Sequence, residues 1–234
     1  MREIIFDTET TGVDPQSGDR VVEIGALEIR AGAVTGRTFH TYVNPERDMP
    51  EGAFRVHGLS TEFLSDKPVF SDPAVVDGFI EFVGDAALVA HNAAFDVRFM
   101  NAELTRLGRP ALSNKIVDTL AIAKRKFPGS PASLDALCAR FGIDTSIRER
   151  DGHGALLDSE LLASVYVELT GGAQAGLSFD AGADDTDSAT GLRRAARSRP
   201  QPLAPRGDVA EAEAHAAFVA ELGENALWLK VGSP

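Results

Sequence analysis

Along residues 1–172 the apolar positions recur at periods that predict most of the secondary structure. Ile4-Ile5-Phe6 is a short apolar run that ends in two acids, Asp7 and Glu9. VVEIGALEI (21–29) and the stretch Phe39–Val43 read as two further strands. Glycine and charge separate the three, which predicts antiparallel neighbours. Ala74–Val83 reads as a helix and Ala87–Ala90 as a short buried strand. Phe95, Phe99, Met100, Leu104 and Leu107 fall at helical spacing. Ile116–Val117 is a brief strand running into a helix, Thr119–Lys126. Ser133 is placed to cap a helix reaching Phe141, and a longer helix over Leu156–Leu169 closes at Gly171-Gly172. Three meander strands followed by alternating helices and strands predict an α/β fold with helices against a mixed sheet.

After Gly172 the periodicity stops. Residues 173–207 are Ala, Gly, Asp, Arg and Pro and predict a flexible linker. Residues 208–234 regain helical character but are too few to bury a core. The expected organisation is a domain over 1–172, a linker over 173–207 and a C-terminal segment over 208–234. One cysteine, Cys138, excludes an internal disulfide, and no apolar run approaches membrane-spanning length. A cytoplasmic protein with no membrane partner is expected. The net charge of −12 argues against a broad basic face gripping nucleic acid. A dense acidic metal site would account for part of it.

That possibility arises at the end of the first strand. Residues i and i+2 of a strand share a side, so Asp7 and Glu9 would stand together and repel. HNAAFD (91–96) places Asp96 at the start of a helix after a buried strand, and HGALLD (153–158) places His153 five residues before Asp158. Five helical residues would rotate that pair about 140° apart, so His153 is expected on a mobile loop ahead of the helix. Oxygen-only ligands suit hard cations such as Mg²⁺ or Mn²⁺. Two such ions bridging Asp7 and Glu9 would explain the acid pair. A histidine beside them, whose ordinary pKa lies near neutrality, could take a proton from a metal-bound water.

FDTETTG, HNAAFD and HGALLD resemble the three exonuclease motifs of the histidine branch of the DEDD superfamily. VVEIGALEI, FRVHGLSTEFLSDKP, VDTLAIAKRKFPG, SLDALCARFGID and HGALLDSELLASVYVELTGG extend the resemblance, in order over residues 1–179, to the epsilon, or proofreading, subunits of bacterial DNA polymerase III. The resemblance implies a ribonuclease-H-like mixed sheet, three antiparallel strands then parallel ones, with a flexible C-terminal tail. It implies 3′–5′ removal of nucleotides from DNA ends. Carried over by position, Asp7, Glu9, Asp96 and Asp158 are ligands to two divalent ions and His153 is the general base. His57, in a glycine-flanked turn, would lie near the terminal nucleotide, and Thr8, Thr10 and Asn92 would contact sugar or phosphate. His40, His91 and His215 read as structural, Cys138 as core, and Lys124–Lys126 as a solvated helix end.

QAGLSF (174–179) resembles a clamp-binding peptide, which makes Gln174, Leu177 and Phe179 candidate contacts to the β sliding clamp. Phe218, Leu227 and Trp228 are candidate contacts to the polymerase α subunit, and a small theta-like subunit is a further partner of the family. Two alternatives use the same residues: an exonuclease trimming RNA 3′ ends, and a scaffold that has lost catalysis. The second conflicts with five filled catalytic positions.

Overall fold

A computed structural model of the chain describes residues 2–146, 148, 152–171 and 208–223. Two units divide after Leu177 and are taken separately.

The first unit is built on a five-stranded sheet of order β3-β2-β1-β4-β5, with β1 Arg2–Thr10, β2 Val21–Arg30, β3 Ala33–Tyr42, β4 Ala87–Ala90 and β5 Ile116–Asp118. The pairs β1/β2 and β2/β3 are antiparallel, while β1/β4 and β4/β5 are parallel. The helices are α1 Glu51–His57, α2 Thr61–Leu64, α3 Pro73–Val83, α4 Ala94–Arg106, α5 Thr119–Lys126, α6 Leu134–Phe141 and α7 Ala155–Thr170.

Alternation along β1 decides what each face meets. Ile4 and Phe6 enter a cluster with Val75, Phe79, Phe99 and Met100 of α3 and α4. Ile5 points the other way, to Leu162, Ala163 and Tyr166 of α7. Each such buried side chain contributes about 1.5–3 kcal/mol, so the first half of β1 is fixed from both sides before Asp7 and Glu9 are reached. Leu137 and Cys138 of α6 close a third cluster against Leu161, Val165 and Leu169 of α7. The carboxyl ends of β1 and β4 lie side by side where the strand order reverses direction. In open sheets that is where ligands bind.

Two local expectations need correction. β3 begins at Ala33 rather than Phe39; its first six residues are exposed, so no apolar rhythm marks them. His57 is not in a turn but ends α1, which Gly58 closes with a φ of 73°. Lys126 sits at the end of α5 as expected, but its Nζ donates to the carbonyls of Glu168 (3.2 Å) and Leu169 (3.0 Å), capping α7.

In the second unit, α8 (Val209–Glu221) starts at a capping box: Asp208 accepts the Glu211 N–H at 2.8 Å, and Glu211 accepts the Asp208 N–H at 3.2 Å. None of its residues is buried, and Phe218 is 58 % exposed. Gln174, Leu177, Phe179, Leu227 and Trp228 lie outside the described residues.

Candidate active site

Three elements converge on the end of β1. Asp96 is the third residue of α4, not its cap, and is 2 % exposed. Its Oδ1 accepts both the backbone N–H of Thr8 (3.1 Å) and the Thr8 hydroxyl (2.8 Å). The turn before α4 is held by Asn92, whose left-handed φ of 63° lets its N–H reach Asp118 Oδ1 at 3.1 Å. Asp118 also caps α5 through the Leu120 N–H.

Asp158 stands in the first turn of α7, 5 % exposed. A Cβ on Gly25 of β2 would overlap the backbone of Ala155 and Leu156, so only glycine lets α7 dock this close. The Ser159 hydroxyl donates to the Gly25 carbonyl at 3.0 Å and fixes the helix in rotation. His153 precedes the helix, outside it as its spacing predicts, with Gly154 at the N-cap position. Ligand-capable atoms of Glu9, His153 and Asp158 all lie within 4.8 Å of one another.

The electrostatics show acids gathered without enough positive charge. Burial, then Asp96, Glu9, Asp158 and Glu23, raise Asp7 well above the usual carboxylate range. Burial, then Asp158, push Glu9 to about 8. Burial pushes Asp96 to about 7 against the opposing pull of the Thr8 hydroxyl. Burial also raises Asp158, opposed by Arg148 and His153. Carboxylates packed this way, with Asp158 Oδ1 lacking a hydrogen-bond partner, are a donor set that fits divalent cations.

The remaining expected contacts divide. His57 is buried, its Nδ1 accepts from the Leu59 N–H at 3.1 Å, and its Nε2 has no hydrogen-bond partner. Together with Thr8, Glu9, Thr10, Val56 and Phe95 it lines a cleft of about 550 Å³. Thr10 donates to the Gly12 carbonyl at 2.6 Å, and Asn92 is exposed. Thr8 faces Asp96, to which it gives both its donors.

Sequence reasoning missed two charged neighbours. Glu23 pairs directly across from Glu9 on β2, is 3 % exposed, and lies 2.7 Å from His40 Nε2. An acid inside the apolar run VVEIG could have marked it as unusual, though not shown what it faces. Arg148 lies against Asp158, and only its position five residues before His153 hinted at it. His91, read as structural, meets the Thr119 hydroxyl at 2.9 Å.

The sequence pattern of the family described as Exonuclease matches residues 4–166. Two solved structures under 25 % identical share the fold: the nuclease domain of 3′hExo, a DEDDh family member, bound to rAMP (TM-score 0.59, 19 % identity, 72 % of this chain and 91 % of that one), and Exonuclease X in complex with 5′ overhanging duplex DNA (0.57, 24 %, 72 % and 90 %). The chain belongs to the exonuclease family. Within it, the DNA polymerase III subunit epsilon of Rickettsia felis is 54 % identical over 178 residues, covering 74 % of this chain and 76 % of that one. The same subunit of Escherichia coli K12 is 41 % identical over 242 aligned positions, covering 97 % of both. With these relatives the chain is grouped as a proofreading 3′–5′ exonuclease of the epsilon type.

Proposed function

We propose that the chain hydrolyses the terminal phosphodiester of a mispaired DNA 3′ end, releasing nucleoside 5′-monophosphates, at a site holding two divalent ions, Mg²⁺ or Mn²⁺. The convergence of Asp7, Glu9, Asp96 and Asp158, three of them with pKa values pushed well above the usual carboxylate range, carries this reading. Those four carboxylates would hold the ions, which when bound supply Lewis-acid stabilisation of the charge developing on the phosphate. The chain's own residues do the rest. His153 takes the proton of the attacking water as the water oxygen bonds to phosphorus and the bond from phosphorus to the 3′ oxygen breaks, leaving that oxygen on the shortened strand to take up a proton from solvent as the new 3′ hydroxyl. His57 and Thr10 receive the terminal nucleotide in the adjoining cleft, with Thr8 and Asn92 at its margin. A frayed single-stranded end enters such a site more cheaply than a paired one, which supplies mismatch preference.

Residues 1–172 carry 26 acids against 17 bases, so the protein alone has little basic surface for counterion release. Retention on DNA is assigned to partners: the polymerase α subunit through Phe218, Leu227 and Trp228, the β clamp through Gln174, Leu177 and Phe179, and a small theta-like subunit. The setting is cytoplasmic. Among the described residues no helix is long and apolar enough to cross a membrane.

The test is degradation of 3′-labelled DNA primers, paired and mispaired, in Mg²⁺ and in EDTA, with and without polymerase. Faster loss of mispaired ends, dependent on the ion, is expected. Absence of release in Mg²⁺, or preference for RNA ends, would overturn the reading. A chain ending at residue 172 should keep activity on short oligonucleotides and lose the polymerase. Equal polymerase binding by both chains would remove the tail from its assigned role.

A further inference from the structure

Arg148 is the one cation seated in the acid cluster among the described residues. Its side chain is only 11 % exposed, and its Nε lies 2.8 Å from Asp158 Oδ1. One Nη atom donates to Asp158 Oδ2 at 3.0 Å and stands 2.6 Å from His153 Nδ1; the other contacts Asp135. Nε and Asp158 Oδ1, although close, do not align as a hydrogen bond, and both remain without one. The guanidinium therefore meets both oxygens of Asp158, but only the Nη–Oδ2 contact is aligned as a hydrogen bond, so one prong of the Arg–carboxylate pair is incompletely formed.

His153 is affected by the same group. A ring nitrogen carries a hydrogen or a lone pair, never both, so Nδ1 can accept from Arg148 or donate to Asp158 Oδ2, 3.2 Å away, but cannot do both. The shorter contact is to Arg148. A cleft of about 410 Å³ lined by Asp135, Ala139 and Thr145 adjoins the guanidinium. Asp135 is 70 % exposed and offers an acceptor outside the acid cluster.

We propose that Arg148 is a positioning residue that serves as the site's built-in counter-ion: it holds Asp158 and His153 together in the ion-free enzyme and yields Asp158 to the divalent ion by withdrawing toward Asp135. The inference rests on Asp158 being an ion ligand. Arg148 then sets how tightly the ion at Asp158 binds, because that ion must replace a contact already made. It also ties ion loading to release of the His153 ring, so the base is freed when the ligands fill.

Isothermal titration of the full chain with Mn²⁺ at low salt tests this. Losing one charge-assisted contact corresponds to about tenfold in affinity, so Arg148→Gln should bind Mn²⁺ about tenfold more tightly than the unaltered chain. Lys124→Gln, which removes a cation at the end of α5, should leave the affinity unchanged. In the unaltered protein the Arg148 Nε–H resonance should shift as Mg²⁺ is added, a readout that holds even if the variant folds poorly. Equal or weaker Mn²⁺ binding by Arg148→Gln, or a resonance that Mg²⁺ does not move, overturns the inference. Asp158→Asn separates the two readings. If it binds Mn²⁺ like the unaltered chain, the assignment of Asp158 fails; if it loses affinity while Arg148→Gln gains none, only the role of Arg148 fails.

Discussion

The two walls of the site are held by different means. On the α4 side, Asp96 is fixed by the fold itself, because its oxygen takes two donors from Thr8 on the central strand and its helix starts at a pinned turn. On the α7 side the helix is docked firmly on Gly25, yet the charged groups on that side, Asp158 and His153, are held by a cation, Arg148, that lies before both of them in the chain. One wall is organised whether or not an ion is present. The other, on the reading proposed above, would exchange one positive partner for another. A nuclease that must hold four carboxylates together gains from this asymmetry. A wholly rigid cage would leave all the repulsion standing without the ion, and a wholly loose one would have to be assembled at each turnover.

The largest expected effect comes from the acids that both walls share. Asp7→Ala, Glu9→Ala, Asp96→Ala and Asp158→Ala should each abolish ion-dependent release of nucleotides, while circular dichroism shows an intact fold. Near-normal turnover in Mg²⁺ by any of the four would remove that residue from the ligand set. His153→Ala should act less severely, lowering turnover by about 10²–10⁴-fold, the usual contribution of a general base, while Mn²⁺ still binds. Loss of Mn²⁺ binding together with activity would make His153 a ligand instead.

The difference between the walls also explains what the sequence disclosed. Asp7 and Glu9, the helix start at Asp96 and the offset of His153 from Asp158 were legible because each depends on a few consecutive residues. The sheet was legible where strands are buried, and not over residues 33–38 or α1, whose exposed side chains carry no apolar period. Thr8 bonding Asp96, Glu23 facing Glu9 and Arg148 reaching Asp158 depend on strand register and helix docking across 88, 14 and 10 positions of chain. No local pattern encodes those distances.

A smaller effect should follow pH. Glu9 is raised to about 8 and Asp96 to about 7 in the folded, ion-free protein, against ordinary values near 4 when unfolded. The folded state therefore binds more protons than the unfolded one between about pH 4.5 and 8, and stability must fall as pH rises through that window. Melting in EDTA should occur at a lower temperature at pH 8 than at pH 5.5. Mg²⁺ should raise the melting temperature most at pH 8, where the carboxylates it meets are charged. Glu9→Gln should flatten the EDTA curve. A melting temperature in EDTA that rises from pH 5.5 to 8 would contradict the crowding of charge at the end of β1.

The smallest effect isolates the rigid wall. Thr8→Val removes the hydroxyl bond to Asp96 and keeps both the backbone N–H bond and the side-chain volume. Hydrogen bonds to a carboxylate favour its charged form, so losing one should move Asp96 further upward and shift the acid limb of the pH–rate profile to higher pH. A hydrogen bond to a charged group contributes about 1.5–3 kcal/mol, and the retained N–H bond should hold the loss of turnover near neutrality to about tenfold. Thr8→Ser, which restores the donor, should recover both the limb and the rate. If Thr8→Val changes only the affinity for DNA and leaves the acid limb in place, then Thr8 contacts the substrate directly. The α4 wall would then owe its order to the backbone bond and to packing, and the contrast with the α7 wall would narrow to the single cation at Asp158.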